Sequence, residues 1–421
     1  MAKNHDLFDD IIDISKDFSA LKDPFGEVTD ALMGVGDTAC NVWNPADYKE
    51  RPRANASACL ACRSEKSTCT ACMDICPVDA ISIEDGGIEI ADSCRKCGLC
   101  SSVCPVEAFV APQIMPKKLY EKIASAAIQY ETCYVTCTRA LRRIPRDNEI
   151  CLACIGDVPA EVWFALLCDF DNVSVYMPLD ICEKCRTTTG EDSLGDAIAT
   201  AEEWSGLNMD LIVDPSELVC VKRREYERKE FADKILKSTG LAVKKLSPAA
   251  VAAHTAADRI KRHQKRITEL ERQLNAACGT TTTKRRRILT GRRQLLLDEL
   301  RAMPSLAEHI EVELPQCDES KCTMCGDCVE KCPVYASDLN ENGTFSVEAT
   351  YCIGCGLCVD VCDQHAITMK KQNASELVVP DPEAEKKAAQ AAEAHAELEK
   401  AAAEGKEKIS SLFDKVEHLA D

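Results

Sequence analysis

The stretch Cys322-Thr-Met-Cys325-Gly-Asp-Cys328-Val-Glu-Lys-Cys332-Pro333, followed after a short interval by Cys352-Ile-Gly-Cys355-Gly-Leu-Cys358-Val-Asp-Val-Cys362, decides how this chain folds. Each run sets three cysteines two residues apart and a fourth three residues further on. The same spacing occurs upstream, in Cys94-Arg-Lys-Cys97-Gly-Leu-Cys100-Ser-Ser-Val-Cys104-Pro105. A fourth run is stretched: Cys62, six residues, Cys69, two residues, Cys72, three residues, Cys76-Pro77, with Cys59 standing just before it. Three thiolates in one tight loop can surround three irons of a cubane, while the fourth, one helical turn on, reaches a second cluster. Zinc sites lack the third cysteine at this step and the trailing Cys-Pro, and secreted disulfide scaffolds scatter their cysteines.

The runs come in pairs, 62–76 with 94–104 and 322–332 with 352–362. Both pairs resemble the bacterial two-cluster ferredoxin domain, which implies four [4Fe–4S] clusters and a crossover of each fourth cysteine. Carried onto these positions, the resemblance implies one set of Cys69, Cys72, Cys104 and either Cys62 or Cys59, with Cys62 favoured. A second set is Cys94, Cys97, Cys100 and Cys76. The C-terminal pair implies Cys322, Cys325 and Cys328 with Cys362, and Cys352, Cys355 and Cys358 with Cys332. Two departures stand out: the inserted loop 63–68 leaves the first ligand open, and Asp363 replaces the proline after Cys362, removing a rigid turn.

The chain has 421 residues, enough for several domains, and 28 cysteines, which belong in a reducing and anaerobic setting. Lys and Arg number 51 against 70 Asp and Glu, a formal charge of −19 that disfavours nucleic acid as a partner. The first residues carry no basic region followed by an apolar one, and no apolar run is long enough to span a bilayer. A cytoplasmic protein without a membrane span is the expectation. Gly291-Arg292-Arg293 followed by Gln294 and three leucines reads as a helix and not as a twin-arginine signal.

The expected organisation is α+β, with two ferredoxin-like modules flanking a central α/β domain. Residues 1–58 hold an amphipathic helix, with Leu7, Ile11, Ile14, Phe18 and Leu21 on one stripe, and a turn-rich loop containing Gly34-Val-Gly36. The first module spans 59–115, with a β-hairpin over 81–90 turning at Gly86-Gly87; Asn342-Gly343 holds the same interval in the second module, 311–372. Residues 222–310 read as a helical connector, with a start at Ser247-Pro248, a heptad through Ile260, Ile267 and Leu274, and a basic island of Arg285, Arg286, Arg287, Arg292 and Arg293 read as a solvated face. The segment 373–421 is an acidic helical or disordered tail.

Between the modules, 116–221 alternates apolar strand-like stretches with helix-like ones at 160–170 and 194–204, the signature of a parallel sheet. Three cysteine pairs, Cys133 with Cys137, Cys151 with Cys154, and Cys182 with Cys185, are expected to fall just after the predicted strands, and loops at the carboxyl ends of parallel strands converge on one crevice. Six thiols there suit a fifth iron–sulfur cluster or zinc, with Cys137, Cys154, Cys182 and Cys185 the favoured quartet. Inert packing thiols are the alternative. Cys40, Cys168, Cys220, Cys278 and Cys317 lack ligand spacing and read as small apolar residues, and His365 reads as a loop residue.

The central segment resembles that of polyferredoxin subunits encoded near anaerobic oxidoreductases. The expected function is therefore a non-catalytic electron-transfer protein or subunit, relaying single electrons between a donor and an anaerobic oxidoreductase. The resemblance suggests a hydrogenase, formate dehydrogenase or molybdopterin oxidoreductase as redox partner. An iron–sulfur oxidoreductase with a substrate or redox-active cysteine site in the central domain is the alternative, and a redox sensor or cluster carrier is a further one. No phosphate-cradling glycine motif, Walker loop or His-Glu-x-x-His is present.

Overall fold

The computed structural model describes residues 51–110, 115–223, 287–340 and 343–378. The expected helix over 5–22, Gly34-Val-Gly36, Cys40, the 247–274 helix, Cys278, Arg285, Arg286, Asn342 and the tail beyond 378 lie outside them. Among the described residues no helix is long and apolar enough to cross a membrane.

The first module opens earlier than its cysteines. β1 (Arg53–Ala54) pairs antiparallel with β4 (Phe109–Val110), so the module's two ends close on each other. Between them come α1 (Leu60–Arg63), α2 (Ala71–Asp74), the hairpin β2 (Ile81–Glu84) and β3 (Gly87–Ile90), and α3 (Leu99–Ser102). The hairpin turns at Asp85 and Gly86, both left-handed (φ 50° and 71°), one residue before the expected Gly-Gly pair. Two consecutive left-handed residues match the twist of the flanking strands, and Asp and Gly tolerate that conformation best.

In the centre, α4 (Pro116–Gln129) leads into β5 (Cys133–Cys137), followed by α5 (Thr138–Leu141), β6 (Glu149–Leu152), α6 (Ala160–Asp169), β7 (Val173–Tyr176), α7 (Gly190–Ser205) and β8 (Asp210–Ile212). The strands form one parallel sheet in the order β6-β5-β7-β8. Three of its four strands, the inner β5 and β7 and the edge strand β6, are buried throughout, because helices cover a parallel sheet on its faces. Trp163, Phe164 and Leu166 on α6 are fully buried, each contributing about 1.5–3 kcal/mol of apolar burial. Phe164 meets Trp204 of α7 edge to face, ring centroids 5.7 Å apart. The chain passes from β5 to β6 on one side and to β7 on the other, so the carboxyl end of β5 is the switch point where such sheets open a crevice.

After the connector, α8 (Gly291–Ala302) precedes the second module: β9 (Glu311–Cys317), α9 (Asp327–Glu330), the hairpin β10 (Ser337–Leu339) and β11 (Phe345–Val347), α10 (Leu357–Asp360) and β12 (Ile367–Asn373). β9 and β12 pair antiparallel, as β1 and β4 do.

The described part of the basic island is buried at Arg293 and half-buried at Arg287 and Arg292, which corrects the solvated-face reading. Leu295, Leu296, Leu297 and Leu300 of α8 are buried, so the helix sits among the other elements and its arginines are turned to protein partners. Arg292 pairs with Glu161 of the central domain at 2.8 Å and donates to the Ser102 carbonyl of the first module at 2.8 Å. Arg293 donates to the Ala349 carbonyl at 3.1 Å and to that of Cys352, both in the second module. Arg287 lies 3.9 Å from Asp338 and over the Tyr351 ring. Arg292 and Arg293, adjacent in sequence, thus tie three domains together.

The Glu107 carboxylate accepts from the Gly291 and Arg292 amides at 3.1 and 2.7 Å, capping α8 from the first module. A carboxylate at a helix N-terminus satisfies orphan donors and favours the dipole, so Glu107→Ala should cost about 1–2 kcal/mol in chemical denaturation. An unchanged midpoint would mean that water replaces the cap.

The two modules also meet directly. Leu357 and Val361 of the second are buried in one apolar cluster with Leu60, Ile81 and Phe109 of the first. The inserted segment of the stretched run makes the polar contacts: Lys66 pairs with Asp363, the Thr68 amide donates to Asp360 at 2.9 Å, and the Arg63 guanidinium lies 5.7 Å from the Tyr335 ring centroid.

Candidate metal centres

The cysteine loops share a backbone pattern that explains their spacing. In the three regular runs the residue before the second cysteine is left-handed, Lys96, Met324 and Gly354, at φ 58°, 56° and 67°. The residue after it is a left-handed glycine, Gly98, Gly326 and Gly356, at φ 90°, 85° and 75°. Left-handed residues on both sides of one cysteine curl the chain, and only glycine takes the wider of these angles without strain. The curl ends in a single helical turn that carries the third cysteine.

All four runs end alike. The fourth cysteine's sulfur accepts the amide hydrogen of the alanine four residues on, at 3.3 Å in every case: Ala80 to Cys76, Ala108 to Cys104, Ala336 to Cys332 and Ala366 to Cys362. The residue before each alanine, Asp79, Glu107, Tyr335 or His365, is left-handed. Cys362 makes this turn with Asp363 in place of proline, so the turn expected to be lost is kept. His365 serves it through its backbone. Amide donors to sulfur stabilise negative charge there and are one of the protein's means of setting a cluster's potential.

The thiols gather by crossover. Burial, then the neighbouring Cys104, Cys59 and Cys69, push the Cys72 thiol up to about 12. Cys104 is raised by burial and in turn faces Cys59 and Cys69. Burial pushes Cys97 up to about 11, with Cys94 and Cys76 among its neighbours. In the second module burial raises Cys328 to about 12 beside Cys325, Cys362 and Cys322. It raises Cys355 to about 12 beside Cys332 and Cys352, and Cys358 faces the same two. Each fourth cysteine therefore lies with the partner run and not with its own. Buried thiols this basic hold their protons until a metal displaces them.

The stretched run places Cys59, not the favoured Cys62, among the gathered thiols. Cys62 rides on α1, its thiol pushed up to about 11 by burial and by Cys59 beside it. The repeat explains the difference. Asn55 receives its own Ser57 amide and hydroxyl on the side-chain oxygen and donates its amide to Ala108. Asp318 does the same with Ser320 and Ala366. Four residues after each stands a cysteine, Cys59 in one copy and Cys322 in the other. Cys59 thus holds the structural position of Cys322, and α1 with the loop to Thr68 is an insertion between the first and second cysteines. Cys317, read as an isolated residue, lies beside Cys322 and hydrogen-bonds it, with Cys362 near.

In the central domain the six cysteines divide. Cys133 opens β5, fully buried, its thiol 3.8 Å from the Ile123 carbonyl. A five-residue strand puts it about 13 Å from Cys137 at the far end, which removes it from a shared site. Cys137, at the switch point, accepts the Ala140 amide at 3.4 Å and has Cys185 as a neighbour. Cys154 follows β6, and burial raises it to about 12, with Cys137 and Cys97 near. Cys182 follows β7, raised to about 11 by burial, with Glu191, Cys137 and Cys185 near, and its sulfur lies 3.7 Å from that of Met177. Cys151 is raised to about 12 by burial and has Cys137 as its nearest thiol neighbour. Cys151, Cys154, Cys182 and Cys185 thus each have Cys137 as a neighbour. Of the isolated cysteines, Cys220 is exposed and is not a packing residue.

Asp157 bridges the first module and the centre and was not foreseen from the sequence. It is 3 % exposed, and burial holds its carboxyl well above the usual carboxylate range. A Cβ at Gly98 would come within 2.4 Å of its Cγ, so the cysteine loop rests directly on it. Among the described residues no three His, Cys, Asp or Glu are gathered closely enough to hold a single metal ion.

Two segments match family models. Residues 321–367 match the 4Fe-4S dicluster domain, and residues 88–110 match the 4Fe-4S binding domain. The second match begins after the stretched run, whose insertion breaks the regular spacing. No curated protein and no solved structure matches the chain. The chain thus carries 4Fe–4S ferredoxin-type domains on both sides of a parallel sheet, a mixed helix and strand fold.

Proposed function

We propose that this chain is a multi-cluster iron–sulfur electron-transfer protein or subunit serving an anaerobic oxidoreductase, holding four [4Fe–4S] clusters and a fifth centre in the middle domain. When bound, such clusters take up and release one electron at a time. The single observation that carries the reading is the crossover of thiols in both modules. The sets are Cys59, Cys69, Cys72 and Cys104; Cys94, Cys97, Cys100 and Cys76; Cys322, Cys325, Cys328 and Cys362; and Cys352, Cys355, Cys358 and Cys332. The chain's own part is to bury these sulfurs, aim the Ala80, Ala108, Ala336 and Ala366 amides at four of them, and hold the sets close together. Cys100 has Cys72 as a neighbour across the first module, Cys358 has Cys328 across the second, and Cys154 has Cys97 across the junction with the centre.

Anaerobically reconstituted protein should contain about 16 irons with matching acid-labile sulfide for the four sets, and about 20 with the central quartet filled. Iron far below 16 would overturn the pairing. Replacing Cys182 and Cys185 together by serine in the full chain should lower the count by about four and leave the ferredoxin-type signals in place. An unchanged count would make the central thiols packing residues.

A further inference from the structure

We propose that the crevice between the first module and the carboxyl ends of the central strands binds a small doubly charged oxyanion, of the size of phosphate or a short dicarboxylate. It is a cavity of about 210 Å³, room for such an ion with a few waters. Four cationic side chains line it, Arg95 and Lys96 from the cysteine loop, Arg139 from α5 and Arg186 from the loop after β7, and no carboxylate does. In a chain of formal charge −19, four cations in one concavity with no carboxylate in its wall concentrate positive potential there.

Their geometry is fixed by the fold. Lys96 sits at the left-handed position that curls the loop (φ 58°), and Arg139 is tethered to the Lys184 carbonyl while its buried Nε has no hydrogen-bond partner. Guanidinium groups offer paired donors that match oxyanion geometry, and Thr138 and Thr187 add hydroxyls to the wall. Cys97 and Cys185 also line the cavity, one from the first module and one from the central quartet. An anion held there lies against both thiol sets, so its charge favours the oxidised state of a centre at either. That consequence rests on the function proposed above; the binding itself does not.

The test is equilibrium dialysis of the full reconstituted chain with inorganic phosphate, sulfate or malonate, at ionic strength fixed with chloride. One ion per chain should bind saturably. Arg139→Ala with Arg186→Ala should weaken it at least about tenfold, and Lys321→Ala, a distant exposed cation, should leave it unchanged. If that double variant loses iron or helix content, Arg95→Gln with Arg186→Gln, both exposed, must show the same loss. Wild-type protein that binds none of the three anions, or binding that survives both pairs of substitutions, overturns the proposal. Anion binding in a protein that fails the iron assay would overturn the cluster reading and leave this one standing.

Discussion

Cys59→Ala should strip one cluster from the first module, lowering iron by about four per chain, while Cys62→Ala should leave the count unchanged. The contrast follows from the repeat. Cys59 stands at the position of Cys322, four residues beyond a side chain that folds back on its own Ser, and it faces Cys72 and Cys104. Cys62 has Cys59 as its thiol neighbour and packs on the module's apolar cluster. Losing one thiolate of four leaves an iron open to solvent, and the change should appear as loss of one set of reduced-cluster resonances in electron paramagnetic spectra. If Cys62→Ala is the variant that loses iron, the insertion has been placed on the wrong side of the ligand.

Gly98→Ala should be strongly destabilising. The residue is left-handed at φ 90°, which costs an L side chain about 1–2 kcal/mol. Its Cβ would also lie 2.4 Å from the Asp157 Cγ and 2.5 Å from both carboxyl oxygens, and overpacking of this kind costs about 1–3 kcal/mol. The sum, roughly 2–5 kcal/mol, should lower Tm by on the order of 10 °C and loosen the loop that carries Cys97. Gly326→Ala is the control: φ is 85°, but a Cβ meets nothing within 4 Å, so only the backbone cost remains. Adding Asp157→Ala to Gly98→Ala should restore much of the loss. Equal effects of the two glycine substitutions would show that the Asp157 contact carries no weight.

The same junction explains why two central glycines matter. A Cβ at Gly156 would come within 2.4 Å of the Gly190 carbonyl oxygen, and one at Gly190 within 2.6 Å of the Cys154 sulfur. The N-terminus of α7 is therefore packed against Cys154 with no room for a side chain.

Much of the fold was legible because its signals are local. The run spacing fixes loops that curl at Lys96, Met324 and Gly354, the alternation over 116–221 gives a parallel sheet, and Asp85-Gly86 turns a hairpin within a residue of its expected place. One local signal went unread: an alanine four residues after the last cysteine of every run, present even where Asp363 replaces proline.

What sequence alone determined about this protein is its four cysteine runs, their pairing and the central sheet, since each depends on residues near one another along the chain. Tertiary structure alone decided the rest. It brought Cys59, and not Cys62, beside Cys72 and Cys104, because strand pairing at Ala54 and Phe109 fixes where the first cysteine falls and an insertion cannot shift it. It sent Cys133 to the far end of β5 from the quartet. It buried Arg293 and half-buried Arg292, which read as surface charge, because α8 lies among three domains whose carbonyls and carboxylates bind the two guanidinium groups. Spacing along a chain reports which groups can share a loop; which side chain faces which, across elements brought together by packing, is settled only by the burial of apolar surface between them.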